Sequence, residues 1–350
     1  MLSQFTDSTW LAIILGGIIT VLLFVPVAIY RYRKKGTLRF GDVLMLVAAA
    51  IYFMAIWTYT LYPLPHSGSY KCAPANFDPL AFIDDIKNYP ATRIWRNKAL
   101  FQVLMNIVLF LPFGAFLRIL FKRGVVVATV LGGLVSLIIE TSQLTGLWGI
   151  YDCAYRTFDV DDLILNTFGA LLGSLMILPF VDLFHRPPVV AVKVTFGRRV
   201  IGILADLMLT TVLWASSVVV LAVGLTYLRE GSLAVIQSDA LPDAVLEFCS
   251  LALPLFVEGL AVLGCGRTVG EILVQIGPAE NPKHRVWARP VKLIAGVGGY
   301  IVLFSPALSG TMYGSVFLLV SFVCLLVNSD HRGLTGLLTG THMEIDRRGV

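Results

Sequence analysis

The chain has 350 residues, of which 57% are hydrophobic and 14% charged, and a formal net charge of +5; its mean hydropathy is +0.81. Soluble globular domains carry about 25% charged residues, so these figures exclude an ordinary soluble fold, and the apolar content excludes disorder. The basic residues sit in short clusters between apolar runs, a pattern that reports membrane orientation rather than nucleic-acid binding, and the five cysteines are scattered singly without zinc-type spacing.

Nine apolar stretches follow in chain order, near 11–30, 42–62, 100–118, 125–147, 160–181, 200–224, 243–264, 292–308 and 314–328. They predict an all-α polytopic membrane protein of about nine transmembrane helices. The first stretch has no basic residue before it and no small-residue cleavage site after it. Arg31, Arg33, Lys34 and Lys35 follow it at once, which reads as an uncleaved anchor with its N-terminus outside. With that orientation 20 of the 27 Lys/Arg residues fall in cytoplasmic segments, and five of the remaining seven lie in the single long loop 63–99. The bias predicts a multi-pass plasma-membrane protein with its C-terminus in the cytoplasm.

His185-Arg186-Pro187-Pro188 cannot continue a helix. It predicts a five-helix domain over 1–181, a cytoplasmic linker over 182–195 and a four-helix domain over 196–345.

The first half holds polar groups inside or beside its spans, where they are costly and therefore functional candidates. Asn106 lies in the third stretch, and Glu140 and Gln143 share a face of the fourth. Arg156 and Asp159 precede the fifth, which continues through Asp161, Asp162 and Asn166. Asp159, Asp162 and Asn166 fall at i, i+3 and i+7, so they share a face and Asp161 points elsewhere. Asp159 is a suitable N-cap. Gly169, Ala170, Gly173 and Ser174 would admit a close neighbour helix. Asn106, Glu140, Gln143, Arg156, Asp159, Asp162 and Asn166 are expected to converge on a polar cup open to the exterior. The competing structural reading makes the aspartates caps, and the amides interhelical hydrogen-bonding groups.

The ordered set Asn106-xxx-Phe110-xx-Phe113-Gly114, Glu140-xx-Gln143 and Arg156-xx-Asp159-x-Asp161-Asp162-xxx-Asn166-xx-Gly169-xxx-Gly173 resembles the VanZ-like family over roughly 40–181. That family is named for low-level resistance to the glycopeptide teicoplanin. The resemblance implies a membrane module with its site in this constellation, and it supplies no reaction.

The second half begins with Arg198, Arg199 and Asp206 and later carries Glu258 and Arg267-Thr268-Val269-Gly270-Glu271. These pieces resemble an RDD-type membrane domain over roughly 194–345. The resemblance rests on Arg199, Asp206 and the Thr-x-Gly turn, and implies an inner site of Arg199, Asp206 and Glu258. It departs at the end, where Thr335-Gly336 stands in place of the family's His-Asp pair. The structural alternative has Asp206 and Glu258 neutralising Arg198, Arg199 or Arg267.

Cys72 and Cys153 fall in exterior loops and form a candidate disulfide, with two free thiols as the alternative. His66, Tyr70, Phe77, Trp95, Trp148 and Tyr151 are expected in interfacial belts. Asn76-Phe77-Asp78-Pro79 predicts an Asx turn that opens an interface-lying segment.

No Walker motif, Gly-x-Ser-x-Gly elbow or His-Glu-x-x-His pair is present, so neither a catalytic motif nor a metal or other cofactor is expected. Three functions follow. The first is envelope-associated binding of a polar or anionic ligand, an envelope precursor or a glycopeptide, with membrane lipids as the other partner and no nucleic acid. The second is an enzyme acting on a lipid-linked substrate with Glu140 or Asp162 as acid or base. The third is an ion-coupled transporter using Glu140, Asp206 and Glu258.

Overall fold

A computed structural model describes residues 2–65, 70–89, 96–184, 193–230, 243–279, 287–303, 311–328 and 331–346. His66, Trp95 and Pro187-Pro188 lie outside the described residues, as does most of the expected linker. Among the described residues, six helical segments are long and apolar enough to cross a membrane: Ser8–Lys35, Phe40–Leu61, Lys98–Phe121, Val125–Leu144, Val160–Phe184 and Phe196–Gly224. Leu251–Cys265 and Met312–Val327 are shorter apolar helices. The chain is thus an all-α polytopic membrane protein.

Contacts divide the chain into two compact units, residues 1–22 with 40–187 and residues 23–39 with 188–350. The first helix, α1 (Leu2–Lys35), contributes to both. Residues 23–39, expected within the five-helix domain, therefore belong to the second unit.

In the first unit α1 is followed by α2 (Phe40–Leu61), β1 (Ala75–Asn76), α3 (Ala81–Asn88), α4 (Lys98–Phe121), α5 (Val125–Leu144), α6 (Gly146–Gly149), β2 (Phe158–Asp159), α7 (Val160–Met176) and α8 (Val181–Phe184). Helix α4 starts on Asn97, whose side chain accepts from Leu100 N, and α7 starts on Asp159, whose side chain accepts from Asp161 N. Such caps satisfy backbone donors that a helix start leaves open.

Small residues set how closely α4, α5 and α7 approach. A Cβ on Gly173 would lie 1.8 Å from Leu111 O and one on Gly169 2.4 Å from Ile107 O, so α4 and α7 run parallel with backbones in direct contact. On the α5 side, a Cβ on Gly132 would meet the Ala170 Cβ at 2.4 Å. Lipid gives no hydrophobic drive to helix association, and close packing of this kind replaces it. Phe110, Phe113, Ile139 and Ala170 fill the buried centre together with Ile56 of α2, and Tyr52 Oη donates to Leu109 O at 2.7 Å.

The loop after α2 is fastened to the segment before α7. Cys72 and Cys153 form a disulfide with a Cα separation of 5.5 Å. Ala73 N donates to Ala154 O at 2.8 Å, and β1 pairs in parallel with β2 through Ala75↔Phe158 and Asn76↔Asp159. Asp78 N donates to Asn76 Oδ1 at 3.1 Å, which closes the Asx turn. The disulfide spans 81 positions of sequence, and loop-closure entropy for a loop of that length implies a stabilisation of about 4.5 kcal/mol. Cys72→Ser is expected to lower the melting temperature in detergent and to expose residues 70–89 to protease; unchanged melting and cleavage would remove the stapling role.

The second unit contains the end of α1, then α9 (Phe196–Glu230), α10 (Asp243–Cys265), α11 (Val269–Leu273), β3 (Ile276–Pro278), α12 (Ala288–Ile294), α13 (Val297–Leu303), α14 (Thr311–Val327), α15 (Gly333–Thr339) and β4 (Met343–Ile345). Strands β3 and β4 are antiparallel, with Gly277 opposite Glu344. Ala28 and Tyr32 of α1 are buried with Ile201, Val274 and Ile276. Arg198 Nη2 donates to Gly36 O at 2.8 Å, while its guanidinium lies 4.8 Å from the Tyr32 ring centroid. These contacts are why residues 23–39 group with α9 and α11.

The expected span at 292–308 is not one helix. Helices α12 and α13 are separate, with Ala295 and Gly296 between them. Glycine lowers helix propensity, and here it also permits a tight turn. A Cβ on Gly298 would lie 2.7 Å from Leu293 O and one on Gly299 2.2 Å from Ile294 O.

Candidate functional site

In the first unit the polar residues gather where α7 begins. Asp159 receives Asp161 N at 2.9 Å and Asn76 Nδ2 at 3.3 Å. Burial pushes its carboxyl above the usual aspartate range, against the lowering effect of those donors. The Asp159 backbone N–H donates to Glu140 Oε2 at 3.1 Å, which satisfies one oxygen of a carboxyl that is 2% exposed on α5. One turn further along α7, Asp162 accepts from the Asn106 side-chain amide, with the Gln102 side chain beside it. Gln102 and Asn106 stand four residues apart and so share a face of α4. Asp162 keeps part of its surface exposed.

The other expected members go elsewhere. Gln143 Nε2 donates to Thr60 O at 2.7 Å. Arg156 Nη1 donates to Thr60 O at 2.9 Å and reaches Tyr59 O and Tyr62 O at 3.4 Å each, so both residues hold the last carbonyls of α2. Asn166 Nδ2 donates to Ser136 Oγ at 3.0 Å, while its Oδ1 is buried without a partner. Of the seven expected residues, Asn106 and Asp162 are in direct contact. Glu140 and Asp159 are joined through the backbone, and Gln143, Arg156 and Asn166 border the group. Electrostatics still couples them: Glu140 and Asp162 both feel the negative charge of Asp159 and the opposing Arg156.

Asp161, which helical spacing sets apart from the others, is 3% exposed. Its Oδ1 accepts from Leu80 N at 2.6 Å and its Oδ2 from Phe82 N at 2.9 Å. It is the anchor of α3, and no local signal pairs it with a loop about 80 positions upstream. Leu80 adopts φ 70° at this point, a left-handed backbone that costs roughly 1–2 kcal/mol outside glycine and is held by the carboxylate.

In the second unit the expected inner residues serve the start of α11. Its opening N–H groups are all matched by side chains: Thr268 N by Glu271 Oε2 at 3.1 Å, Val269 N by Glu258 Oε2 at 3.2 Å, Gly270 N by Asp206, and Glu271 N by Thr268 Oγ1 at 3.2 Å. The idea that Asp206 and Glu258 neutralise the nearby arginines is therefore corrected. Arg199 pairs with Glu271 at 2.9 Å, and Arg267 pairs with Asp346, while Arg198 serves the end of α1. Lys292 also reaches Glu271, at 2.5 Å. The resemblance assigns no role to Glu271 or Lys292, although the capping-box spacing Thr268-x-x-Glu271 is a signal for the first. Arg199, Asp206, Thr268, Glu271, Lys292 and Tyr300 line a cavity of about 110 Å³. Among the described residues, no group of three or more His, Cys, Asp or Glu could hold a metal ion.

Residues 43–184 match the family model VanZ/LLP1, so this stretch of the chain is similar to VanZ-type membrane proteins. That region contains Asn106, Glu140, Gln143, Arg156, Asp159, Asp162 and Asn166, and it ends before α9 begins. No support for an RDD-type domain in the C-terminal half comes from the comparison. No curated protein and no solved structure matches the chain.

Proposed function

We propose that this is a cell-envelope protein of the plasma membrane that binds a polar ligand at the start of α7. The N-terminus and the α7 start lie on the exterior side, and the C-terminus lies in the cytoplasm. The carrying observation is the Asp162 carboxyl at the head of a spanning helix. It is matched by the Asn106 amide, with Gln102 beside it, and is still partly open. The carboxyl groups of Glu140 and Asp162 feel both the Arg156 guanidinium and the negative charge of a third carboxyl, Asp159. That balance favours a ligand with hydroxyl or ammonium groups, while Arg156 accommodates an anionic substituent. An envelope precursor or a glycopeptide has this chemistry, and glycopeptide resistance is the corresponding phenotype.

Asp162→Asn removes the charge and retains the shape. In a teicoplanin-susceptibility assay at wild-type expression it is expected to abolish protection. A hydrogen bond to a charged group contributes about 1.5–3 kcal/mol, which is a loss of about tenfold or more in affinity. Unchanged susceptibility would sink the reading.

Glu140 supports a second reading, acid–base chemistry on a lipid-linked substrate, because it is a buried carboxyl within electrostatic reach of Asp162. Glu140→Gln can still accept the Asp159 N–H, so full activity in that variant would dispose of catalysis. For the second unit, Arg199 and Asp206 on one cavity support an RDD-type, ion-coupled role. Proteoliposome flux that survives Asp206→Asn would end that role.

A further inference from the structure

Helix α3 lies across the starts of two spanning helices. Asp161 of α7 holds Leu80 N and Phe82 N at one end, and Asn97, the cap of α4, donates Nδ2 to Ile86 O at 2.9 Å near the other. The Asn106–Asp162 contact joins the same two helices. None of the α3 residues is buried, and Phe77, Leu80 and Ile83 are exposed apolar side chains. Asp84 and Lys87 are exposed too, forming an ion pair at 3.5 Å.

The surface beside the polar contact is apolar. Phe101, Leu104 and Val108 are exposed at i, i+3 and i+7 on α4, and Ile164 and Phe168 are exposed on α7. On spanning helices these faces meet acyl chains. Gln102 is nevertheless exposed next to Phe101, a polar amide at the edge of a lipid-facing stripe. A similar continuity holds on α5, whose exposed Val130, Leu134 and Leu137 lead toward Trp148 in α6, 69% exposed. Trp148 is presented by a left-handed backbone at Leu147 and Trp148. Amphipathic segments and tryptophans at the ends of spans belong in the membrane interface.

We propose that α3 is an interfacial lintel with Phe77, Leu80 and Ile83 in lipid, and that the ligand enters sideways beneath it as the headgroup of a membrane amphiphile. This rests on the reading of Asn106 and Asp162 as the ligand-contacting pair. The acyl chains of the amphiphile lie along the Phe101–Leu104–Val108 stripe, and Gln102 is the first polar group that its headgroup meets.

The full chain in nanodiscs, with Cys249, Cys265 and Cys324 replaced by serine and the Cys72–Cys153 disulfide kept, gives the test. Nitroxide labels on Ile83→Cys and Asp84→Cys are compared for collisions with oxygen and with a water-soluble nickel chelate. The Ile83→Cys label is expected to favour oxygen and the Asp84→Cys label nickel; nickel preference at both positions overturns the lintel. In the second arm, phosphatidylethanolamine with a photoreactive headgroup is expected to cross-link the 98–106 peptide. Water-soluble photoreactive phosphoethanolamine is expected to cross-link it less. Equal labelling by the two probes overturns lateral entry alone. Lipid cross-linking that persists undiminished in Asp162→Asn overturns the ligand-contacting pair instead.

Discussion

Gly173→Ala is expected to unfold the first unit or to lower its stability by about 3 kcal/mol or more. Overpacking in a well-filled interior typically costs about 1–3 kcal/mol when side chains can move. Here the added methyl meets Leu111 O at 1.8 Å and the Leu111 carbonyl carbon at 2.6 Å. Both are backbone atoms of α4, so the helices themselves must separate. Separation would open the Gly169–Ile107 contact and pull Asp162 away from Asn106, so binding falls with stability. Gly17→Ala is the control, since a Cβ there meets nothing within 4 Å. Thermal melting in detergent decides the matter. A Gly173→Ala protein that melts with the parent would show that the two backbones are not in contact.

Glu271→Ala carries the second large effect. The carboxylate accepts from Arg199 on one oxygen and from Lys292 on the other, and all three side chains are largely withdrawn from solvent. Removing it strands two buried cations and uncaps Thr268 N. Breaking a buried ion pair costs about 3–5 kcal/mol. The double variant Glu271→Gln with Lys292→Met should recover part of that loss, because the surplus charge goes with the lysine. Equal melting of parent and Glu271→Ala would refute the bridging role.

The network also has a pH signature. Burial alone would push the Glu271 carboxyl up, yet Lys292 and Arg199 outweigh it and hold the carboxyl below the ordinary glutamate range. A depressed folded-state value means that the contribution to stability is present above the unfolded value and is lost as pH falls through the folded one. The acid limb of the stability curve should therefore flatten in Glu271→Gln, in the range below the ordinary glutamate value of about 4.3.

Much of the architecture was readable because burial in lipid imposes a crude, long pattern. Runs of about 20 apolar residues marked the spans that became α1, α2, α4, α5, α7 and α9. The eighth stretch, 292–308, misleads because hydropathy cannot register backbone geometry: Gly296, Gly298 and Gly299 are apolar by scale but support a break. The site residues were legible as intramembrane polar groups. Their partners were less so, because Gln143 and Arg156 spend their donors on α2 carbonyls, which no side-chain pattern encodes. Asp161 shows the same difficulty, since an N-terminal aspartate on a helix looks like a cap for its own helix and here anchors another. In the second unit the carboxylates were visible, while their assignment to α11 required knowing that a five-residue helix stood between them.

Helix α1 bears on how the polypeptide can be divided. The prolines at 187 and 188 mark an obvious place to separate two gene fragments. A fragment beginning there would nevertheless leave out the strip from Leu23 to Arg39. Arg198 would lose the Gly36 carbonyl and the Tyr32 ring, and Ile201 and Val274 would lose Ala28. The second unit is assembled from pieces that flank most of the first unit in the sequence. The strip from Leu23 to Arg39 is therefore synthesised before residues 40–187 and has to wait for partners that follow them.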